Sequence, residues 1–355
     1  MKLKIETASP YTVWIENGIL ARVGALTKEA CPAAGKVLIV SDSHVFPLYG
    51  QNVENALKAE GLKPYRFIFE AGELSKKIQT VLQIYQVLAE NHFTRSDIIL
   101  TLGGGVAGDM GGFAAATFLR GISFVQIPTS LLAQVDASVG GKTGVDLPFG
   151  KNLIGAFHQP AAVIADPQVF STLPAHYFHD GMGEVIKYGC IADLSLFETL
   201  QNGIDPRDMT DILVRCVAIK KAVVEEDTKD TGRRMILNFG HTFGHAIEKL
   251  ENFEGLAHGE AVGIGMMLAA GIGEKLGVTA AGTQEKIRRI LQQYDLPTEC
   301  EFTREELIQA TALDKKSMGD TLHLILLTEI GNAVIYPVRR DALPDAWPGG
   351  AVCQP

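Results

Sequence analysis

No two cysteines of this chain stand close enough in sequence to form a Cys-x-x-Cys pair. The five present, Cys31, Cys190, Cys216, Cys300 and Cys353, are odd in number and widely scattered. They indicate neither a disulfide framework nor a thiolate zinc site, and a reducing cytoplasm is the simplest compartment. Basic charge is short as well. Against 41 Asp and Glu stand 32 Lys and Arg, a formal charge of -9, which argues against general nucleic-acid or anionic-membrane binding. Basic residues gathered on an anionic ligand are then a local exception. Long apolar runs are missing too. The longest uncharged helical stretch, residues 261–273, is too short and glycine-rich to span a bilayer. The opening MKLKIETASPYTVWIE alternates like a strand and lacks the apolar core of a signal peptide. There is no repeat and no low-complexity segment.

What the chain does have is 46% apolar and 21% charged residues with 37 glycines, the profile of a soluble α/β enzyme. Its 355 residues exceed the size at which one core stops growing, so two domains are expected. Residues 37–40 (VLIV), 65–70 (YRFIFE), 97–102 (DIILTL), 122–128 (ISFVQIP) and 162–166 (AVIAD) read as strands, with helical patterns between several of them. This predicts a Rossmann-like, mostly parallel α/β domain over residues 1–174, with ligands at the carboxyl ends of its strands. Residues 175–355 are predicted to be a mainly α-helical domain that carries metal and substrate. Its amphipathic stretches fall near 181–202, 209–226, 233–251, 259–276, 283–294 and 303–314. A late hairpin is expected from 322–328 and 333–338, and the tail after Arg340 reads as loose surface chain.

The chemistry concentrates in four places. DIILTL runs into Gly103-Gly104-Gly105-Val106-Ala107-Gly108-Asp109, where a helix amino terminus could hold a pyrophosphate or where glycine serves only a tight βα turn. The acidic ribose partner usual about 20 residues further on is missing; Asp42, after the strand VLIV, is a better candidate and could equally be a helix cap. Residues 128–152 carry Thr129, Ser130, Lys142, Lys151 and Asn152 among glycines, a set suited to phosphate, with a solvated flexible loop as the bland alternative. Asp136 could be a cap there. Glu184, Lys187 and Tyr188 share a helix face at i, i+3 and i+4, a spacing most often seen in a surface salt bridge.

The fourth place is Asn238-Phe239-Gly240-His241-Thr242-Phe243-Gly244-His245-Ala246-Ile247-Glu248, with His258 on a following helix. Glu184 and two histidines would make a donor set suited to zinc with open positions. Spacing does not decide which two of His241, His245 and His258 bind, because one of them could be an acid-base residue. The glycine before each of the first two histidines reads as clearing room beside the imidazoles. Lys220, Arg234 and Asn238 precede these histidines, and Arg234, Asn238, His241 and His245 are expected on one polar stripe of an apolar helix. Lys315 and Lys316 carry less information, as a lysine pair usually marks a solvated helix end.

The segments GGGVAGDMGGFAAATFLRGI, QIPTSLLAQVDASVGGKTGVDLPFGKNLIGAFHQP, GMGEVIKYG, LNFGHTFGHAIE, HGEAVGIGM and DKKSMG, in this order over nearly the whole chain, resemble the 3-dehydroquinate synthases of the sugar phosphate cyclase group. HDGMG at 179–183 and EEDTKDTG depart from the family's usual wording and touch no proposed ligand. The resemblance implies one divalent ion, zinc or cobalt, on Glu184, His241 and His258, with His245 left to act on substrate. It implies NAD held by Asp42, by Glu73 and Lys76, by Gly104, Gly105, Val106 and Asp109, by Thr129 and Ser130, by Lys142 and Lys151, and near Phe170 and Thr172. Substrate would meet Asp136, Lys142, Lys151, Asn152, Lys187, Lys220, Arg234, Asn238 and His245. Arg120 would arrive from a second subunit of a homodimer, and Lys315, preferred over Lys316, would close the site.

The implied reaction takes 3-deoxy-D-arabino-heptulosonate 7-phosphate, oxidises one hydroxyl with NAD, eliminates phosphate from beside the new ketone, returns the hydride, and closes the ring by an internal aldol step. The leaving phosphate can serve as its own base, in keeping with the absence of an obvious strong general base. Competing readings are a metal- and NAD-dependent alcohol or glycerol dehydrogenase, a sibling cyclase whose substrate has no carboxylate, and a noncatalytic NAD-binding regulator.

Overall fold

The computed structural model describes residues 1–204, 209–228, 232–252, 255–311 and 321–348; Lys315, Lys316 and Cys353 lie outside them. The chain divides into two compact units, Met1–Pro174 with Met209–Lys229, and Ala175–Asp208 with Asp230–Pro355.

In the first unit, strands β1 (Lys2–Ile5), β2 (Tyr11–Ile15), β3 (Lys36–Asp42), β4 (Lys63–Phe69), β5 (Ile98–Gly103), β6 (Ser123–Pro128) and β9 (Ala162–Ala165) form one sheet in the order β1-β2-β9-β6-β5-β3-β4. All its pairings are parallel except β1 with β2. The strands read as unbroken apolar runs because both faces are covered. Val37, Ile39, Ile98 and Leu100 pack on one side with Val23, Leu26, Val53 and Leu57, from helices α1 (Val23–Ala30) and α2 (Gln51–Ala59). Leu38, Val40 and Ile99 pack on the other with Val81, Ile84, Met110 and Phe113, from α3 (Ile78–Glu90) and α4 (Gly105–Thr117). The period-2 alternation of side chains makes this division automatic.

One alternative is set aside in this unit and one expectation is corrected. The solvated flexible loop weighed for residues 128–152 is not what forms: a π-helical turn at Ala133–Ala137 leads to an antiparallel hairpin of β7 (Lys142–Leu147) and β8 (Gly150–Phe157). Thr143 and Val145 are buried, and Thr143 Oγ1 donates to the Ala156 carbonyl at 2.9 Å. Helix α7 (Met209–Glu226), expected in the second domain, belongs to the first unit, where it packs on β1, β2 and the 133–137 turn.

The second unit holds α5 (Ala175–Ala192), α6 (Leu194–Gln201), α8 (His241–Leu250), α9 (His258–Lys275), α10 (Thr283–Gln293), α11 (Arg304–Thr311) and the hairpin β10 (Thr321–Glu329) with β11 (Asn332–Arg339). Together with the sheet of the first unit this is the expected α/β class with a helical second part. Helix α9 is apolar nearly all round and buried along almost its whole length, as a central helix must be. The stretch 233–251 is not one helix. A 3-10 segment, Arg233–Asn238, stops at Phe239, and Gly240 (φ 81°) turns the chain before α8 begins. The break is forced by packing, since a Cβ on Gly240 would press on the Val262 carbonyl and Met266 of α9. Gly244 likewise faces Ala261 and Val262, so these glycines make room for a helix backbone and not for imidazoles.

Against the Gly240–Gly244 segment α9 comes closest at Gly265, where a Cβ would collide with the Gly240 carbonyl. Gly265→Ala should cost about 1–3 kcal/mol from overpacking and lower the melting midpoint by several degrees. Gly263→Ala meets only the flexible Leu291 side chain and regains roughly 1 kcal/mol of helix propensity, so it should be near neutral. Thermal melts followed by circular dichroism test the contrast, and equal shifts would refute it.

Candidate active site

In the first unit the strand order reverses at β3, which pairs with β4 on one side and β5 on the other. Helices α2 and α4 leave toward opposite faces, so the carboxyl ends of β3 and β5 border a crevice of the kind that binds ligands in open α/β sheets. Asp42 ends β3. Its Oδ1 accepts the His44 and Val45 amides at 2.8 and 2.9 Å, while Oδ2 faces Gly103. Capping and ligand binding therefore do not compete for the same oxygen. Across the crevice α4 starts after an extended Gly104 with no side-chain cap, and its first amides are available to an anion. The Thr129 amide donates to the Gly103 carbonyl at 2.9 Å, and Ser130 lies beside Gly104. Val106 is half-buried in the first turn of α4. Phe170 and Thr172 lie on the 3-10 turn Pro167–Thr172, where the Thr172 hydroxyl meets that of Tyr49.

Buried Lys76 ties this crevice to the hairpin. Its Nζ donates to Asn152 Oδ1 and pairs with Asp109 Oδ2, each at 2.7 Å, with Glu73 at 3.7 Å. Burial works against the ammonium, but the carboxylates of Asp109 and Glu73 prevail and raise its pKa. For Asp109 burial outweighs the pull of Lys76 and raises the carboxyl; Glu73 is raised by the same cause. Asn152 is held in a left-handed conformation (φ 53°), with its amide donating to Asp146 Oδ1 at 2.7 Å. A lysine has no acceptor to offer, so Asn152 presents its carbonyl to Lys76 and its NH2 elsewhere. Lys142 opens β7 exposed, and Lys151 is half-buried on β8. Lys220 on α7 reaches the 133–137 turn, at 2.9 Å from Asp136 Oδ1 and 2.5 Å from its carbonyl oxygen. Arg120 is exposed, following Leu119 through two successive left-handed residues (φ 51° and 68°).

In the second unit Glu184 and Lys187 lie in contact on α5, 0% and 1% exposed. Glu184 Oε1 is 3.5 Å from His241 Nε2 and 3.7 Å from His258 Nε2, and the ligand atoms of the three residues lie within 4.8 Å of one another. Lys187 pairs with Glu184 Oε2, and Oε1 is the oxygen turned to both imidazoles. A buried carboxylate facing two imidazole nitrogens fits a divalent ion of borderline softness. Burial, reinforced by Lys187 and the neighbouring histidines, holds His241 well below the usual imidazole range. Burial would also lower His258, but Glu184 and Glu248 overcome it and bring it to about 10, so this spot attracts positive charge. The histidines left open by spacing are thus separated: His241 and His258 turn Nε2 to Glu184, whereas His245 is exposed, its ring 5.3 Å from His241. Asn238, His241 and His245 line one concavity with Met235, Thr242, Leu322, His323 and Ile325, so the broken helix keeps these three polar residues together. Arg234 is 2% exposed.

Family models described as 3-dehydroquinate synthase N-terminal and 3-dehydroquinate synthase C-terminal match residues 66–180 and 181–317. A 3-dehydroquinate synthase of Clostridium acetobutylicum is 48% identical over 93% of this chain and 94% of its own. The chain belongs to the 3-dehydroquinate synthase family. Among solved structures, 2-deoxy-scyllo-inosose synthase complexed with carbaglucose-6-phosphate, NAD+ and Co2+ superposes with a TM-score of 0.86 at 25% identity, covering 97% of this chain and 98% of that one. The 2-epi-5-epi-valiolone synthase of Streptomyces hygroscopicus, with NAD+ and Zn2+ bound, gives 0.86 at 27% identity and 95% coverage of each.

Three residues of this 3-dehydroquinate synthase family member escaped the sequence reading. Asp146 fixes the backbone of Asn152. Asp180 accepts the Gly259 amide at 2.5 Å and so anchors the start of α9 beside His258. Glu248 lies 3.5 Å from His258 Nδ1; its place seven residues after His241, hence on the same helix face, was the available signal. If Glu184, His241 and His258 hold an ion, His241→Ala stripped with chelator and reloaded with zinc should retain almost none by atomic absorption. Parent-level zinc content would overturn the assignment.

Proposed function

We propose that the protein converts 3-deoxy-D-arabino-heptulosonate 7-phosphate to 3-dehydroquinate and phosphate, a step of the shikimate route to aromatic amino acids. The observation that carries this reading is the convergence of Glu184, His241 and His258 in a chain that matches the family's synthases over nearly its whole length. When bound, NAD supplies a reversible hydride acceptor, and zinc or cobalt supplies Lewis acidity.

The residues of the chain do the rest by holding and orienting. Asp42, Glu73, Lys76, Asp109, Thr129, Ser130, Phe170, Thr172 and the turn Gly104-Gly105-Val106 take the dinucleotide. Lys142 and Lys151 serve both the dinucleotide and the substrate. Asn152, with its carbonyl taken by Lys76, turns its NH2 donors to the phosphate. Arg234, Asn238 and Lys220 recognise the carboxylate, with Asp136 holding the Lys220 ammonium. Lys187 neutralises Glu184 from the side, and His245 handles a proton of the substrate. Fixing both anionic ends of one small molecule keeps its reacting atoms in register. We assign Arg120 to the site of a second subunit in a homodimer, and a cytoplasmic location from the cysteine usage. No described helix is long and apolar enough to cross a membrane.

Losing a hydrogen bond to a charged group costs about 1.5–3 kcal/mol, so Arg234→Ala should lower kcat/KM about 10- to 150-fold for the carboxylate substrate. It should lower it much less for an analogue with a neutral end. Equal losses on both would favour a sibling cyclase. NAD should be required and not consumed: with the heptulosonate phosphate, phosphate release should match ring product while absorbance from reduced nicotinamide stays at the enzyme-bound level. Reduced nicotinamide that grows with turnover would replace this reading with the dehydrogenase one.

A further inference from the structure

We infer that Glu248 is the positioning residue for His258, orienting its imidazole so that Nε2 is presented beside Glu184. The inference rests on the reading of Glu184, His241 and His258 as ligands of one divalent ion. An imidazole can bind a metal through either nitrogen, and the partner of the other nitrogen decides which one faces the ion and in what plane. His241 has such a partner in the Phe239 carbonyl, 3.2 Å from its Nδ1, which leaves Nε2 toward Glu184 at 3.5 Å. His258 shows the same division with a side chain in the carbonyl's place. Glu248 Oε1 lies 3.5 Å from Nδ1, and Glu184 Oε1 lies 3.7 Å from Nε2.

Glu248 is 5% exposed, and a buried carboxylate is retained only where it is paired. Its placement follows from α8, which carries His241 and Glu248 two turns apart on one face. The same helix thus supplies one ligand and the orienting group for the other. An Nδ1–H donated to Glu248 is compatible with an ion on Nε2, so this contact can persist when the site is loaded. His245, Glu248 and His258 also lie within 4.8 Å of one another, so Glu248 could instead be a ligand of a second ion, and the experiment must separate the two roles.

Cobalt(II) titration of the purified full chain, with a competing chelator and the visible cobalt spectrum, makes the separation. Glu248→Gln should bind one ion per chain roughly 10- to 100-fold more weakly with an altered visible band, Glu248→Asp should recover part of the loss, and Glu184→Gln should lose the ion outright. A role in folding alone would lower the melting point of the ion-free protein and leave the cobalt spectrum unchanged; that result overturns the inference. So does an affinity of Glu248→Gln within twofold of the parent, a loss as complete as that of Glu184→Gln, or a second ion in the parent that Glu248→Gln removes. If Glu184→Gln keeps its ion at parent affinity, the underlying ion site is wrong and the inference falls with it. Should Glu248→Gln fail to fold, Glu248→Asp decides by the same readings, and parent affinity there counts against the inference.

Discussion

The contact on which the second unit depends is backbone against backbone. Helix α9 lies against the chain at Gly240 through Gly265, and its first turn lies against α5 where Gly183 meets Gly259. No pair of side-chain-bearing residues permits approaches this close. Their effect is to bring one end of α9, the start of α8 and the middle of α5 to one place, so that His258, His241 and Glu184 converge although 74 residues of sequence separate the first from the last. Gly183, Gly259 and Gly265 lose helix propensity. Close packing of an apolar central helix offsets that loss.

The first unit solves a different problem with a different device. A twisted parallel sheet covered on both faces opens a crevice wherever its strand order reverses, so the place of Asp42 and of the glycine turn follows from topology. The hairpin of β7 and β8 has no such determinant. It is located by apolar packing, with Val145, Ile154 and Ala156 joining the core on the α4 side of the sheet, and by hydrogen bonds to Lys76, whose Nζ meets Asn152 and whose carbonyl accepts the Asp146 amide. Asn152 on the hairpin and Asp109 on α4 are thereby joined through one buried charge. Charge placement in general runs against the composition: the chain is net acidic, yet Lys76, Lys187, Lys220 and Arg234 are buried. Lys76, Lys187 and Lys220 each have a carboxylate in reach, as the cost of desolvating an ammonium demands.

Local pattern alone determined much of this protein. The apolar runs of β3, β5, β6 and β9, the hairpin of β10 and β11 and the amphipathic period of α7 and α10 were legible because each is a short-range regularity that the fold had only to accept. The motifs around Gly104, Lys142, Glu184 and His241 likewise identify the family from residue order. Tertiary structure decided what depends on partners remote in sequence. The helix expected through 233–251 breaks at Gly240 because α9 lies against it; α7 joins the first unit because its apolar face is completed by β1 and β2; residues 142–157 pair as a hairpin because backbone groups beside a packed sheet must be satisfied. The division of labour among His241, His245 and His258 belongs to the same class. Spacing puts two of them on one face of one helix, but which of the three turn Nε2 to Glu184 depends on how α5, α8 and α9 come together, and no residue pattern specifies that until the chain has folded.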